Sequence, residues 1–309
     1  MAFAYRFAGR ALFSSVPLVG VLPLAEGNLL AGQSIQVSMD LGDLSEAGPV
    51  RFRWRGGYDL TLRLLGSDWL FTSGDCNHYL VSAAGDRIRC AGNPGSFEFS
   101  DVLVRRILPR IPLLVDATLV HAAAIGDATG GILMAGASGA GKSTLSAALS
   151  HRAGWTLLSD DLSVLRYEEG PLLYPAASGV CVWGDSQQAL GLPAERCRSM
   201  PGYDGKVWFG ADVGGRPPVV VPLRAFVSLA RSDDCHAPRL QPLSSSDAFI
   251  DATRQLILFD PSDHAASRLP EHFARLGRII ESVACYSLIY PSSYRAIQEI
   301  DSLLRSLLR

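Results

Sequence analysis

The sequence predicts a mixed α/β protein, with a β-rich segment over residues 1–112 and an α/β domain over 113–309. Three observations lead there. Up to about residue 112, short runs alternate apolar and polar side chains, with Gly, Asp, Asn and Pro between them, the pattern of half-buried strands joined by turns. Next comes the basic, apolar stretch RRILPRIP, interrupted by Pro109 and Pro112, which marks a boundary. Beyond it the apolar run GGILMA feeds the glycine-rich turn GASGAGKST and then the helical segment KSTLSAALSHRAG. This order of strand, glycine loop and helix is the core of an α/β domain.

The elements follow in chain order. The opening stretch MAFAYRFAGRALFSSVPLVGVLPLAEG has Arg6 and Arg10 ahead of apolar residues, but Pro17 and Pro23 break the run. It predicts two short strands with turns rather than a secretory leader. SIQVSMDL, RFRWRGGYDLTLRLL, WLFTS, HYLVSA and RIRCAG read as the strands of an antiparallel domain. No catalytic constellation lies among them, and Trp54 and Trp69 are expected to pack. In the second segment, ATLVHAAAI is a strand, Gly126 to Gly130 form a turn, and GILMA is a buried strand. The helix after the glycine loop stops at Gly154, and WTLLS is a strand ending at Asp160 and Asp161, with LSVLRY as the next. SSDAFIDATRQLILF and PEHFARLGRIIESV are helices, and CYSLIY is a strand. The final SYRAIQEIDSLLRSLLR places Ile297, Ile300, Leu304, Leu307 and Leu308 on one helical stripe, which is expected to pack onto the protein's own core.

Composition limits the partners. The chain of 309 residues is 48% hydrophobic and 19% charged, with a net charge of −2, so nothing points to nucleic acid. No apolar run reaches the length of a membrane span. Six cysteines are scattered without a CxxC pair, and the six histidines are equally dispersed. Reduced thiols in a cytoplasmic protein fit this better than disulfides or a zinc site. Of the 28 basic residues only two, Lys142 and Lys206, are lysines. Lysine retained against a background of arginine suggests a need for a compact charge. Lys206 lies in YDGKVWFG, read as a glycine-bounded loop that could close over a ligand and supply positive charge.

Gly136, Gly141, Lys142 and Ser143 complete the pattern GxxxxGK[ST]. Backbone N–H groups of residues 137 to 143, Ser138, Gly139, Ala140 and Gly141 among them, are expected to surround a β-phosphate, and Thr144 is a further nucleotide-binding residue. Lys142 would bridge β- and γ-oxygens, and Ser143 would ligate Mg²⁺. No NKxD-type base reader and no LSGGQ-like signature occurs, which sets aside Ras-like GTPases and ABC-type ATPases. Asp160 lies 18 residues after Lys142, so one helix and one turn return the chain to the loop's edge of the sheet. Two adjacent carboxylates there suit two tasks, one holding a metal and one accepting a proton from an incoming hydroxyl. The reading is an ATP- and Mg²⁺-dependent kinase. Three alternatives stay open: a metabolite kinase of the gluconate or shikimate type, an HPr serine kinase of the family named below, and a nucleotide sensor without catalysis.

VHAAAI, GILMAGASGAGKSTLSAAL and LLSDDLSVL together resemble the core of HPr kinase/phosphorylase and its relatives, over roughly residues 113 to 190. The resemblance implies a kinase domain like the C-terminal domain of that family. It implies that a histidine on the strand before the loop, His121, and an Asp pair on the strand after it accompany the nucleotide site, with His121 near the γ-phosphate. It further implies Asp160 as general base and Asp161 as the Mg²⁺ ligand beside Ser143. The family's Glu-x-Arg-Gly-Leu-Gly signature is replaced here by YPAASGVCVWGDSQQALG, so the resemblance implies neither HPr as the favoured substrate nor a reverse phosphorylase activity. That stretch, and the opening YRFAGRALFSSVPL, are similar to HPr-kinase-like proteins encoded beside peptide-modification genes. These include kinases of the C-terminal serine of lasso-peptide precursors. The implied partner is a peptide or small protein with an acceptor serine, and homo-oligomerisation stays open.

Overall fold

The computed structural model describes residues 3–24, 34–42, 48–74, 76–111, 114, 116–176, 178–200, 202–210, 218–259 and 268–309. The chain forms two units. One comprises Met1–Asp116 with Ser199–Gly205 and Phe259–Ala265; the other comprises Ala117–Arg198, Lys206–Leu258 and Ala266–Arg309. The second unit therefore gives up two short segments that a single division after residue 112 assigns to it.

Among the described residues, nine strands build the first unit: β1 (Phe3–Phe7), β2 (Arg10–Ser14), β3 (Leu22–Pro23), β4 (Ile35–Ser38), β5 (Val50–Trp54), β6 (Leu60–Leu65), β7 (Asp68–Ser73), β8 (Asn77–Val81) and β9 (Arg87–Ala91). They form one sheet in the order β3-β1-β2-β4-β9-β8-β7-β6-β5. The β1–β2 hairpin turns on Ala8 and Gly9, both left-handed at φ 52° and 80°, as the right-handed twist of paired strands favours. The sheet is not wholly antiparallel: β4 pairs in parallel with both β2 and β9, because it is inserted between the first hairpin and the later meander. Alternating burial places Leu62, Phe71, Tyr79 and Ile88 in the core. Trp54 stacks on Phe71 and Phe52, Trp69 meets Phe259 edge-on, and the Arg110 guanidinium lies 5.7 Å from the Trp54 ring. A short helix, α1 (Phe97–Asp101), is capped by the Ser96 hydroxyl, which accepts from the Phe99 N–H. The chain continues from it as a π-helical turn over Val102–Ile107 and a 3₁₀ turn over Leu108–Arg110.

In the second unit the strands are β10 (Thr118–Val120), β11 (Ala123–Asp127), β12 (Gly130–Ala135), β13 (Thr156–Ser159), β14 (Ser163–Tyr167), β15 (Pro171–Tyr174), β16 (Gly179–Trp183), β17 (Cys197–Ser199), β18 (Lys206–Gly210), β19 (Val221–Arg231), β20 (Arg239–Pro242) and β21 (Ala284–Tyr290). The helices are α2 (Lys142–Arg152), α3 (Gly184–Leu190), α4 (Ser245–Thr253), α5 (Leu269–Glu281) and α6 (Ile297–Arg305). The large sheet runs β10-β14-β15-β19-β12-β11-β13, with β21 pairing β19 and β20 pairing β21. A smaller sheet has the order β16-β18-β17.

Strand direction positions the site. β12, β19 and β21 are mutually parallel neighbours, so all three end on one edge. β11 is antiparallel to both β12 and β13, so β13 runs in the direction of β12 and ends on that same edge, where β11 begins. ATLVHAAAI, read as one strand, is broken at His121 and Ala122: β10 pairs β14 while β11 pairs β12 and β13, and the chain must step between partners. At the step the His121 N–H donates to the Gln255 carbonyl at 2.7 Å.

β12 is buried along its whole length, as expected of a central strand covered on both faces. One face holds Ile132, Met134, Leu145, Ala148, Leu149 and Leu157. Ile297, Ile300 and Leu304 of α6 join them, with Leu307 and Leu308 packed alongside, so the C-terminal stripe belongs to the protein's own core. The other face packs Leu133, Leu158, Phe226, Leu276 and Ile279 under α4 and α5. Among the described residues, no helix is long and apolar enough to cross a membrane.

Candidate active site

The glycine loop joins β12 to α2 and is shaped by left-handed glycines. Gly139 has φ +81° and Gly141, the residue before α2, has φ +96°. A Cβ on Gly141 would lie 2.3 Å from the Tyr290 hydroxyl, so both the backbone angle and the close approach require glycine. Tyr290, the last residue of β21, donates its hydroxyl to the Ala140 carbonyl and ties the loop to the sheet edge. Burial pushes the Tyr290 phenol well above its ordinary pKa, which keeps it a donor. Arg231, ending β19, donates to the Gly139 carbonyl at 3.3 Å.

Lys142 is the first residue of α2 and only 7% exposed. Its Nζ donates to the carbonyls of Gly136 at 2.7 Å and Ala137 at 3.3 Å, which places the charge over the loop it helps to close. Burial lowers its pKa, and the negative charges of Asp161 and Asp160 act in the opposite direction. Ser143, one residue on, donates its hydroxyl to Asp160 Oδ1 at 2.8 Å. The second oxygen of Asp160 accepts the Cys181 N–H at 2.9 Å. Asp160 is 6% exposed and held at both oxygens, a rigid and oriented carboxylate.

Asp161 is held quite differently. It has φ +61°, one of two non-glycine residues with positive φ among those described. Such a conformation costs an L-residue roughly 1–2 kcal/mol, least for Asp and Asn. The turn sends its carboxylate away from Asp160 and toward His121, whose Nε2 lies 3.6 Å from Asp161 Oδ1. Both side chains are more than a third exposed, at 42% for His121 and 36% for Asp161. The two carboxylates therefore differ in burial, partner and direction, although they are adjacent in the chain. The loop, Lys142, Ser143, Asp160, Asp161 and His121 converge on one sheet edge.

Lys206 is placed elsewhere than its sequence suggested. It opens β18 rather than sitting in a loop, pairs with Trp183 of β16, and its Nζ lies 4.8 Å from the Trp183 ring centroid. The glycine-rich DG pair supplies the turn before the strand, and the alternating KVWFG continues as the strand itself. Trp183 is two residues along β16 from Cys181, whose N–H reaches Asp160, so Lys206 belongs to the sheet that flanks the site.

Several site residues have no local sequence signal. Tyr290 and Arg231 end strands more than 80 residues after the loop, and Cys181 acts through its backbone. Ser186 lies 3.3 Å from the Thr144 hydroxyl and 3.1 Å from the Tyr294 hydroxyl, a second polar link into the first turn of α2. The order of one apolar strand, CYSLIY, ending at the parallel edge was the only available clue to Tyr290.

Ser143 and Asp160 supply a hydroxyl and a carboxylate 2.8 Å apart. These are hard oxygen donors and fit Mg²⁺, which takes one or two protein ligands and completes its shell with water and phosphate oxygens. Among the described residues no group of three His, Cys, Asp or Glu side chains is placed to hold a metal ion.

No protein-family model and no curated protein matches the chain. Among solved structures it is similar to the Hpr(Ser) kinase/phosphatase from Coxiella burnetii, at 16% sequence identity and a TM-score of 0.31, over 61% of this chain and 94% of that one.

Proposed function

We propose that the protein is an ATP-dependent kinase that phosphorylates a hydroxyl group. The observation that carries this reading is the division of labour between the two carboxylates at the glycine loop. Binding a nucleotide needs the loop, Lys142 and a metal-side carboxylate; it does not need a second, outward-facing carboxylate held by a strained backbone. Asp160, buried against Ser143, suits the metal side, and Asp161, exposed beside His121, suits the acceptor side. This geometry favours the reverse of the allocation that the family resemblance implies.

In the proposed reaction the acceptor hydroxyl oxygen forms a bond to the γ-phosphorus as the bond from that phosphorus to the β,γ-bridging oxygen breaks. The hydroxyl proton passes to Asp161, and ADP leaves with the bonding pair on its terminal phosphate. Lys142 and the loop N–H groups offset the charge on the transferring group. Mg²⁺, when bound, would add positive charge against the β- and γ-phosphates. His121 would hold Asp161 in position.

For the acceptor we propose a serine of a peptide or small protein, with the C-terminal serine of a lasso-peptide precursor as the specific candidate. Here the support is the sequence resemblance of YPAASGVCVWGDSQQALG and the N-terminal opening. The test is transfer of label from γ-³²P-ATP to synthetic peptides ending in Ser or in Ala. Label on the Ser peptide alone supports the reading. Label on neither peptide, with transfer to gluconate or another small polyol, would establish the metabolite-kinase alternative instead.

A further inference from the structure

Resting on the peptide-kinase reading above, we propose that Trp183 and Lys206 form the docking platform for the acceptor peptide. Trp183 would pack on an apolar group next to the acceptor serine, and Lys206 would bind a carboxylate of the same peptide.

The placement follows from two hydrogen-bonded ties. The chain from Cys181 to Ser186 is held to the site at both ends. At one end the Cys181 N–H donates to Asp160 Oδ2 at 2.9 Å. At the other the Ser186 hydroxyl lies 3.3 Å from that of Thr144, in the first turn of α2 beside Lys142 and Ser143. Trp183 stands between these two ties, as the last residue of β16. Two residues of strand rise about 7 Å, so its backbone lies within roughly 10 Å of the Asp160 carboxylate. Asp161, the proposed proton acceptor, is the next residue after Asp160. With an acceptor serine at Asp161, two or three neighbouring residues of an extended peptide, at about 3.3 Å each, cover that distance.

The pair has the chemistry of a peptide contact. Trp183 is 53% exposed, the most exposed large apolar side chain among the described residues, while its strand neighbours Val180 and Val182 are buried in the core. A large aromatic surface of this kind is what binding partners most often cover. Its orientation is already set. Trp183 and Lys206 face each other across β16 and β18, and the Lys206 ammonium lies 4.8 Å from the ring centroid. That cation–π contact holds both side chains, so less freedom is lost when a ligand arrives. The indole face attracts the ammonium without neutralising it, and an attraction for carboxylate remains. An aromatic surface with a cation over it suits an apolar group next to an anion. In a peptide that anion is the chain-terminal carboxylate or an Asp or Glu side chain. Gluconate offers the anion without the apolar group.

The experiment measures kcat/KM for four synthetic peptides that end in Ser, as the free acid or the amide, each with Glu or Ala before the serine. The wild-type protein is expected to favour one carboxylate over its neutral counterpart by about three- to fivefold, the range of an exposed ion pair. Acid against amide, and Glu against Ala, tell which carboxylate it is. In Lys206→Ala the preference should fall below about 1.5-fold, and Lys206→Arg should keep it. Trp183→Ala is expected to raise KM for all four peptides by at least about fivefold with ATP affinity unchanged, and Trp183→Phe to recover most of that loss. A loss of Lys206 as a merely structural cation would lower all four rates together and leave the preference intact. That outcome, or no preference in the wild type, would overturn the carboxylate site. Unchanged peptide KM in Trp183→Ala would overturn the platform, and so would weakened ATP binding, which would give it to the nucleotide. A wild-type protein that labels none of the four peptides but transfers phosphate to a polyol would overturn the peptide reading itself.

Discussion

Replacing the two carboxylates one at a time separates their tasks. In Asp160→Asn one amide oxygen replaces two carboxylate oxygens. That oxygen can still accept the Cys181 N–H, and the amide NH₂ then faces the Ser143 hydroxyl, which can rotate and accept. Both buried contacts survive in altered form, so the fold should lose no more than about 1–2 kcal/mol. The negative charge beside Ser143 is gone, however, and with it the proposed metal-side ligand. The Mg²⁺ concentration for half-maximal activity should rise at least tenfold, and ATP affinity should fall with it. Asp161→Asn is expected to behave in the opposite way. Its pair with His121 is exposed and worth less than about 1 kcal/mol, so stability should hardly change. If Asp161 is the proposed proton acceptor, its removal should lower kcat by about 10²–10⁴-fold at unchanged ATP affinity and Mg²⁺ dependence. The assay is initial-rate phosphorylation across an Mg²⁺ titration, with nucleotide binding measured separately on the same preparations. Exchanged phenotypes would restore the allocation implied by the family resemblance. Two variants with wild-type rates would refute catalysis by this pair altogether.

Gly141→Ala should abolish ATP binding, through a left-handed backbone and a Cβ 2.3 Å from the Tyr290 hydroxyl; adding Tyr290→Phe should recover part of the binding, and no recovery would show the backbone angle alone to be limiting. Ile300→Ala, which opens a void in the core beneath α2 and β13, should cost about 2–4 kcal/mol in a urea melt without moving ATP affinity in the folded protein. Lys206→Ala removes a cation held over Trp183 and should lower kcat/KM for peptide by less than tenfold, whereas a loss beyond a hundredfold would place Lys206 at the phosphoryl group itself.

The strand, glycine loop and helix around Lys142 were legible because their signals are local. An apolar run, glycines at fixed offsets and a Lys-Ser pair opening a helix leave little else that the backbone can do. The strand ending at Asp160 and the C-terminal stripe of Ile297, Ile300 and Leu304 were legible for the same reason, through periodicity within a dozen residues. Other features depend on which strands become neighbours. The break at His121 exists because β10 and β11 join different partners, a fact that ATLVHAAAI does not contain. YDGKVWFG resembles a loop by composition, but pairing with β16 makes its second half a strand and sets Lys206 over Trp183. Tyr290 and Arg231 reach the loop only because three parallel strands end together, over separations that periodicity cannot span. The same holds for the Asp pair: adjacency in sequence makes the two carboxylates look interchangeable. What distinguishes them is burial of Asp160 against Ser143 and the left-handed turn that aims Asp161 at His121, and both arise from packing rather than from the residues' own preferences.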